Sequence, residues 1–245
     1  METNNLLVLY PFPPYITPAG IQLYRRYICF TLSISKIIIT FLNKSDMKHS
    51  EKMHALIKKR GTNQLDDLTL GLVNAMKYSN PDILYPDFGD VKPGQGVEAE
   101  WFYDVYRGTN NFSELTAIHQ YISQEALFDD IGELMMGIAL VEMKHMDKLG
   151  DFILALKGTV TQEYDTKYVA YGNSAREAAQ LGIESETATI AAYNKILNKV
   201  KSLPENPTTV ISFQLLSKLI ADETHHISLF REWLKEHPEP KKEKP

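Results

Sequence analysis

Glu142-Met-Lys-His145 and Glu223-Thr-His-His226 are two copies of one pattern, a carboxylate followed three positions later by an imidazole. Residues three apart on an α-helix share a face, so each copy aims one carboxylate and one imidazole at a common point. Two further glutamates, Glu114 and Glu186, lie on the helical stretches around them. Four carboxylates and two imidazoles from four helices make a six-ligand box suited to two divalent first-row metal ions. The zinc-protease pattern is a different one. It needs His-Glu-x-x-His, and neither His225-His226 nor the isolated His145 supplies it.

A glutamate on a helix is ordinarily solvated, so its face decides its meaning. The apolar stripe Leu134, Ile138, Val141, Leu149, Phe152, Leu156 contains Glu142 and His145. Glu223 and His226 interrupt Leu216, Leu219, Ile220, Phe230, Leu234, and Glu186 is in line with Ile183, Ile190, Tyr193, Leu197, Val200. Leu115, Ile118, Tyr121 and Ile122 surround the face that holds Glu114. Burying one ionised carboxylate costs several kcal/mol unless it is paired, and four together also repel one another. No matching set of lysines or arginines stands on those faces, so two divalent cations are the natural compensation.

Four segments of 3.6-residue periodicity must position these groups: 98–127, 129–157, 174–202 and 208–237. Asn206-Pro207 reads as a capped start, Ser174 or Asn173 can cap the third helix, and Gly158 ends the second. Gly108 is a weak point in the first, which can kink there or begin again near Ser113. The connection over 159–172 is the longest, and the other two are short, which favours antiparallel neighbours. The expected fold is all-α, an antiparallel four-helix bundle with a long crossover between helices 2 and 3.

The expected organisation is an N-terminal extension over 1–96, the bundle over 97–237 and a disordered tail over 238–245. Pro11, Pro13, Pro14 and Pro18 make the first twenty residues irregular. Short helices are predicted over 48–60 and 65–78, followed by a Pro/Gly-rich stretch over 80–96 that is a linker or an arm packed on the bundle. The apolar segment 28–42 spans about 15 residues where a membrane helix needs roughly 20, and Lys36 sits in its middle. Membrane association is therefore not expected. Residues 1–46 are read either as an anchor or as an extension preceding a start at Met47 or Met53.

At 245 residues and 44% hydrophobic content, the chain can build one or two ordinary globular domains. Its net charge of -5 gives no basic footprint for nucleic acid. The single cysteine, Cys29, excludes a disulfide framework, a Cys-rich zinc site and a rubredoxin-type iron centre. A cytoplasmic location suits that cysteine usage.

SELTAIHQYI (113–122), VEMKHMDKLGDFIL (141–154), IESETATIAAYNKIL (183–197) and ADETHHISLFREWL (221–234) resemble, in order, the four helix motifs of the ferritin-like superfamily. The likeness is to bacterioferritin and to the diiron domain of rubrerythrin, with manganese-catalase-like proteins as further relatives, and covers about 97–237. It implies that Glu142 and Glu223 bridge two metals, that Glu114 and Glu186 are terminal ligands, and that His145 and His226 each bind one metal. It casts Tyr121 as a near-site tyrosine that hydrogen-bonds a ligand or supplies an electron, against plain core packing. Asp222 resembles the aspartate that orients the facing helix's histidine, here His145; the matching position on the second helix is Val141, which leaves His226 without that partner. Met143 stands where bacterioferritins place a haem-ligating methionine, but a methionine at a helix interface is ordinarily packing, and haem is not expected. Thr189 replaces rubrerythrin's additional glutamate. His119 and His225 are expected at the surface or behind the ligands.

The resemblance implies a dimetal oxidoreductase with two iron ions, or manganese in their place, acting on Fe(II), peroxide or dioxygen with an unidentified electron donor. The alternatives are manganese-catalase-like peroxide disproportionation and iron storage. A small homo-oligomer is expected, because the N-terminal segment would hinder a compact shell.

Overall fold

Each of three helices begins at a side chain that holds its first free amide. Ser113 Oγ accepts from Thr116 N at the head of α1 (Glu114–Leu127), and Ser174 Oγ accepts from Glu177 N ahead of α3 (Ala175–Lys201). Asn206 forms a reciprocal capping box with Thr209 before Pro207 in α4 (Pro207–Glu236). α2 (Asp129–Ala155) has no side-chain cap, but Asp129 and Asp130 place negative charge at the positive end of its dipole. The computed structural model describes residues 77–161 and 163–239. The segments expected over 1–46 and 48–60, nearly all of that over 65–78, Cys29 and most of the tail lie outside the described residues.

A single residue, Phe128, joins α1 to α2, and 202–206 joins α3 to α4. Such short connections turn the chain back on itself, giving two hairpins. Between α2 and α3 runs the long crossover, with one 3-10 turn at Thr166–Tyr168. It is tied to α1 by Gln124 Nε2 donating to the Ala170 carbonyl and by Ala170 N donating to Gln120 Oε1, both at 3.3 Å. The described residues contain no strand, and none of their helices is long and apolar enough to cross a membrane.

The first helix is shorter than the periodicity suggests. Instead of one helix over 98–127, a 3-10 turn (Ala99–Phe102) and one α-turn (Tyr103–Tyr106) precede a break at Gly108, and α1 starts afresh after Ser113. Gly108 exchanges backbone hydrogen bonds with the crossover: its N–H donates to Glu163 and its carbonyl accepts from Asp165. A Cβ there would stand 2.7 Å from the Tyr164 ring, so this close approach needs a glycine. The apolar periodicity nevertheless serves one layer, because Phe102 packs edge-on against Phe152 of α2, with ring centroids 5.1 Å apart.

Helix α2 ends in a Schellman arrangement, with Gly158 N donating to Ile153 O and Lys157 N to Leu154 O. Gly158 thus belongs to the stop as expected, but the left-handed residue is Lys157 (φ 66°). Gly158 is required for a different reason: a Cβ would meet that of Ala99 at 2.4 Å.

The core divides into two apolar clusters along the bundle. One gathers Phe102, Tyr106, Phe152, Tyr193 and Leu215; the other gathers Tyr121, Met135, Ile138, Ala178 and Phe230. Along every bundle helix the predicted ligands fall at or between these clusters. Residues 77–97 lie against the bundle as an arm. The Tyr78 ring occupies the place where a Cβ on Gly137 would be, and Phe88 packs against Phe152.

Candidate metal centre

One glutamate from α1, one from α3 and a Glu-x-x-His pair from each of α2 and α4 meet at the centre of the bundle. Glu114, Glu142, Glu186, Glu223, His145 and His226 are all at most 1% exposed. Their ligand atoms form two sets, each within a 4.8 Å span: Glu114, Glu142, His145 and Glu223; and Glu142, Glu186, Glu223 and His226. Glu142 and Glu223 belong to both.

The distances show how the two sets share those carboxylates. Glu142 presents Oε2 to His145 Nδ1 and Oε1 to His226 Nδ1, each at 3.0 Å. Glu223 presents Oε1 to His145 Nδ1 at 3.2 Å and Oε2 to His226 Nδ1 at 3.0 Å. Glu114 approaches only the His145 side, at 3.4 Å, and Glu186 only the His226 side, at 3.6 Å. Each half therefore offers one imidazole nitrogen, one oxygen of its own glutamate and one oxygen from each shared glutamate. That donor set, mixed nitrogen and carboxylate oxygen, suits divalent first-row metals.

Proximity here is not mutual satisfaction. Both oxygens of Glu223, Glu142 Oε1, Glu114 Oε2 and both ring nitrogens of His226 are buried without a hydrogen-bond partner. Unpaired buried polar atoms are costly and rare in a native protein, and five of these, all but His226 Nε2 on the far side of its ring, converge on one spot and point to a ligand there. A pair of divalent cations fits them.

Without metal, protons must supply the compensating charge. Burial, together with the charge of Glu142, pushes Glu114 and Glu186 well above the usual carboxylate range. Burial also acts on Glu142, yet the neighbouring imidazoles outweigh it and hold its carboxyl well below that range. For His145 and His226 burial disfavours the cation, but the Tyr85 oxygen and three glutamates around His145, and Glu142, Glu186 and Glu223 around His226, raise both. The metal-free centre is thus a proton-loaded cluster, and ligation of a cation displaces those protons.

Around this centre the two unshared glutamates, Glu114 and Glu186, are held alike. The Tyr121 hydroxyl donates to Glu186 Oε1 and the Tyr193 hydroxyl to Glu114 Oε1. Each tyrosine sits seven residues after the glutamate of its own helix and serves the glutamate of the other. Tyr193 is read from the sequence only as core; its spacing from Glu186, the same as Tyr121 from Glu114, was the available signal.

The histidines are held differently. His145 Nε2 lies 3.1 Å from Asp222 Oδ2, and since a carboxylate accepts, the imidazole donates there and turns Nδ1 to the glutamates. Asp222 also accepts from Lys218 Nζ at 2.8 Å, Asn80 N at 2.6 Å, Ser79 Oγ at 3.1 Å and Tyr85 Oη at 3.1 Å. Burial works against its charge, but His145 and Lys218 hold it far below the usual aspartate range. Lys218, 3% exposed, is a buried cation on α4. It neutralises Asp222 and touches none of the four glutamates. Neither ring nitrogen of His226 has a hydrogen-bond partner, and Val141 is buried and apolar.

The remaining polar candidates lie elsewhere. His119 stacks on Tyr164 at the surface, with centroids 4.3 Å apart, and His225 Nε2 faces the Lys77 carbonyl at 3.0 Å. Met143 is partly buried. Thr189 Oγ1 donates to the Phe112 carbonyl just ahead of α1.

The chain is similar to known proteins. A bacterioferritin from Desulfovibrio desulfuricans is 31% identical over 122 residues, 48% of this chain and 65% of that protein. The chain thus spans just under two thirds of the length of that relative. Among solved structures, Mycobacterium tuberculosis bacterioferritin BfrA aligns with 25% identity over 51% of this chain and 79% of its own, with a TM-score of 0.45. The ferritin-like domain model matches residues 113–238, starting at the cap of α1 rather than near 97. With just over half of its residues in that match, the chain belongs to the ferritin-like domain family.

Proposed function

We propose that this chain is an iron-handling ferritin-like protein whose six-ligand centre binds two ferrous ions and serves their oxidation. The observation that carries the reading is the division of Glu142 and Glu223, each with one oxygen on the His145 side and one on the His226 side. Two carboxylates so divided would be shared by two cations, with Glu114 and Glu186 each holding one of them. Iron is favoured over other first-row metals by the likeness to a bacterioferritin. Two ferrous ions lose one electron each. A dioxygen molecule takes up both electrons with two protons and leaves as hydrogen peroxide.

Chain residues have defined parts in this scheme. The Tyr121 and Tyr193 hydroxyls fix the terminal carboxylates, and Asp222 fixes the tautomer of His145. Apolar clusters on both sides keep the carboxylates in a low-dielectric setting, where charge compensation by metal is worth most.

Anaerobic Fe(II) titration followed by oxygen exposure tests the proposal, with Glu142→Ala as the control. Two Fe(II) per chain, and one O2 consumed per pair, are expected for the wild type. Zero stoichiometry in the wild type overturns the dimetal reading. Two ions bound without oxygen uptake overturn the oxidation step and leave iron binding. Mass-spectrometric metal content of protein purified without added metal separates iron from manganese.

A further inference from the structure

The arm at residues 77–97 lies outside the family match, yet its side chains reach the aspartate behind His145. Asp222 Oδ2 accepts two donors, His145 Nε2 and Tyr85 Oη, both at 3.1 Å. Its other oxygen is held by Lys218 Nζ, Ser79 Oγ and the Asn80 amide. Lys218 Nζ in turn donates to Ser79 Oγ at 2.9 Å and to the Asn80 carbonyl at 2.6 Å, closing a network that joins α4 to the arm. The Tyr85 ring lies 6.4 Å from the His145 ring and 5.2 Å from Lys218 Nζ. A carboxylate with both oxygens pinned has one orientation, and so has the imidazole it holds.

We propose that Tyr85 is a positioning residue for the metal centre: from the arm, it locks Asp222, and through it the Nδ1 of His145, so that the His145 half binds metal more tightly than the His226 half. This rests on the dimetal reading above and adds to it an unequal pair and a ligand-orienting element outside the bundle. Groups behind a metal ligand ordinarily change affinity by about 10- to 100-fold. A tyrosine one step further out acts at the lower end of that range.

Tyr85→Phe keeps the ring and removes only the hydroxyl. Two measurements on the full chain test it. In the first, Co(II) is titrated anaerobically and both binding steps are read by visible absorption. In the second, the Nε2–H resonance of His145 is followed in metal-free, 15N-histidine-labelled protein. We expect one Co(II) step to weaken about tenfold, the other to stay within twofold, and the His145 resonance to shift while those of His226 do not. Ser79→Ala, which loosens the other Asp222 oxygen, should weaken the same step by less. Equal weakening of both steps, or no change in either together with an unmoved His145 resonance, overturns the proposal. Absence of Co(II) binding by the wild type sinks the dimetal reading instead, and the His145 resonance then decides alone whether Tyr85 positions the ring.

Discussion

The two halves of the centre share two carboxylates and differ in what stands behind their histidines. His145 is backed by a buried aspartate with five donors on it, drawn from α2, α4 and the arm. His226 has equally close glutamates in front, but its ring nitrogens have no hydrogen-bond partner and Val141 occupies the position that corresponds to Asp222. Glu114 and Glu186 show no such inequality, each receiving one tyrosine hydroxyl. A near-symmetric set of ligands can thus be made unequal entirely from behind, since the direction of a ring nitrogen is set by the bond its other nitrogen makes.

Substitutions at the centre and behind it break or sharpen this comparison. Glu142→Ala removes an oxygen from both halves at once, and metal analysis should find both ions lost; retention of one would mean that Glu142 serves a single side. Asp222→Asn should weaken the His145 half alone, by about 10- to 100-fold. Val141→Asp, the reciprocal change, should narrow the gap between the two binding constants. Titration calorimetry reads both, and an equal effect of Asp222→Asn on the two steps would contradict the asymmetry.

Tyr121→Phe and Tyr193→Phe should by contrast match each other. Each removes one hydrogen bond to a buried carboxylate, worth about 1.5–3 kcal/mol, and thermal unfolding of the metal-loaded protein should show similar losses. A large difference between them would place an inequality at the terminal glutamates as well.

The smallest effect expected is on pH. Glu114 and Glu186 have raised folded values, so above an unfolded value of about 4.3 the folded chain keeps protons that the unfolded chain has lost. His145 and His226 behave alike above about 6.5. The folded state then binds more protons, and the stability of the metal-free protein falls as pH rises through these windows. The depressed value of Glu142 acts only below about 4.3 and does not oppose this trend at neutral pH. Since metal replaces the protons, its gain in melting temperature should be larger at pH 8 than at pH 6. An equal gain at both would contradict the proton-loaded cluster.

Much of this was legible in the sequence, for a physical reason. The two Glu-x-x-His pairs, Glu114 and Glu186 all interrupt apolar stripes, and a 3.6-residue period converts such an interruption directly into a direction toward the core. Caps at Ser174 and Asn206 are local chemistry, set by a side chain and an amide three residues away. The break at Gly108 was readable as a weak point with a kink or a restart near Ser113, and the helix does restart there. Its cause is a backbone bridge to the crossover, a contact between segments far apart in the chain.

The sequence by itself determined which residues point inward and that four carboxylates would be buried together, whereas the difference between Asp222 and Val141 behind the two histidines was implied only by the family resemblance. Helical periodicity carries the inward direction of those residues. Only the tertiary structure decided that Tyr193 crosses to Glu114 and that Tyr85 and Ser79 close over Asp222. Those partners come from different helices or from an arm without periodicity. Their meeting depends on how elements pack against one another, which no spacing along the chain encodes.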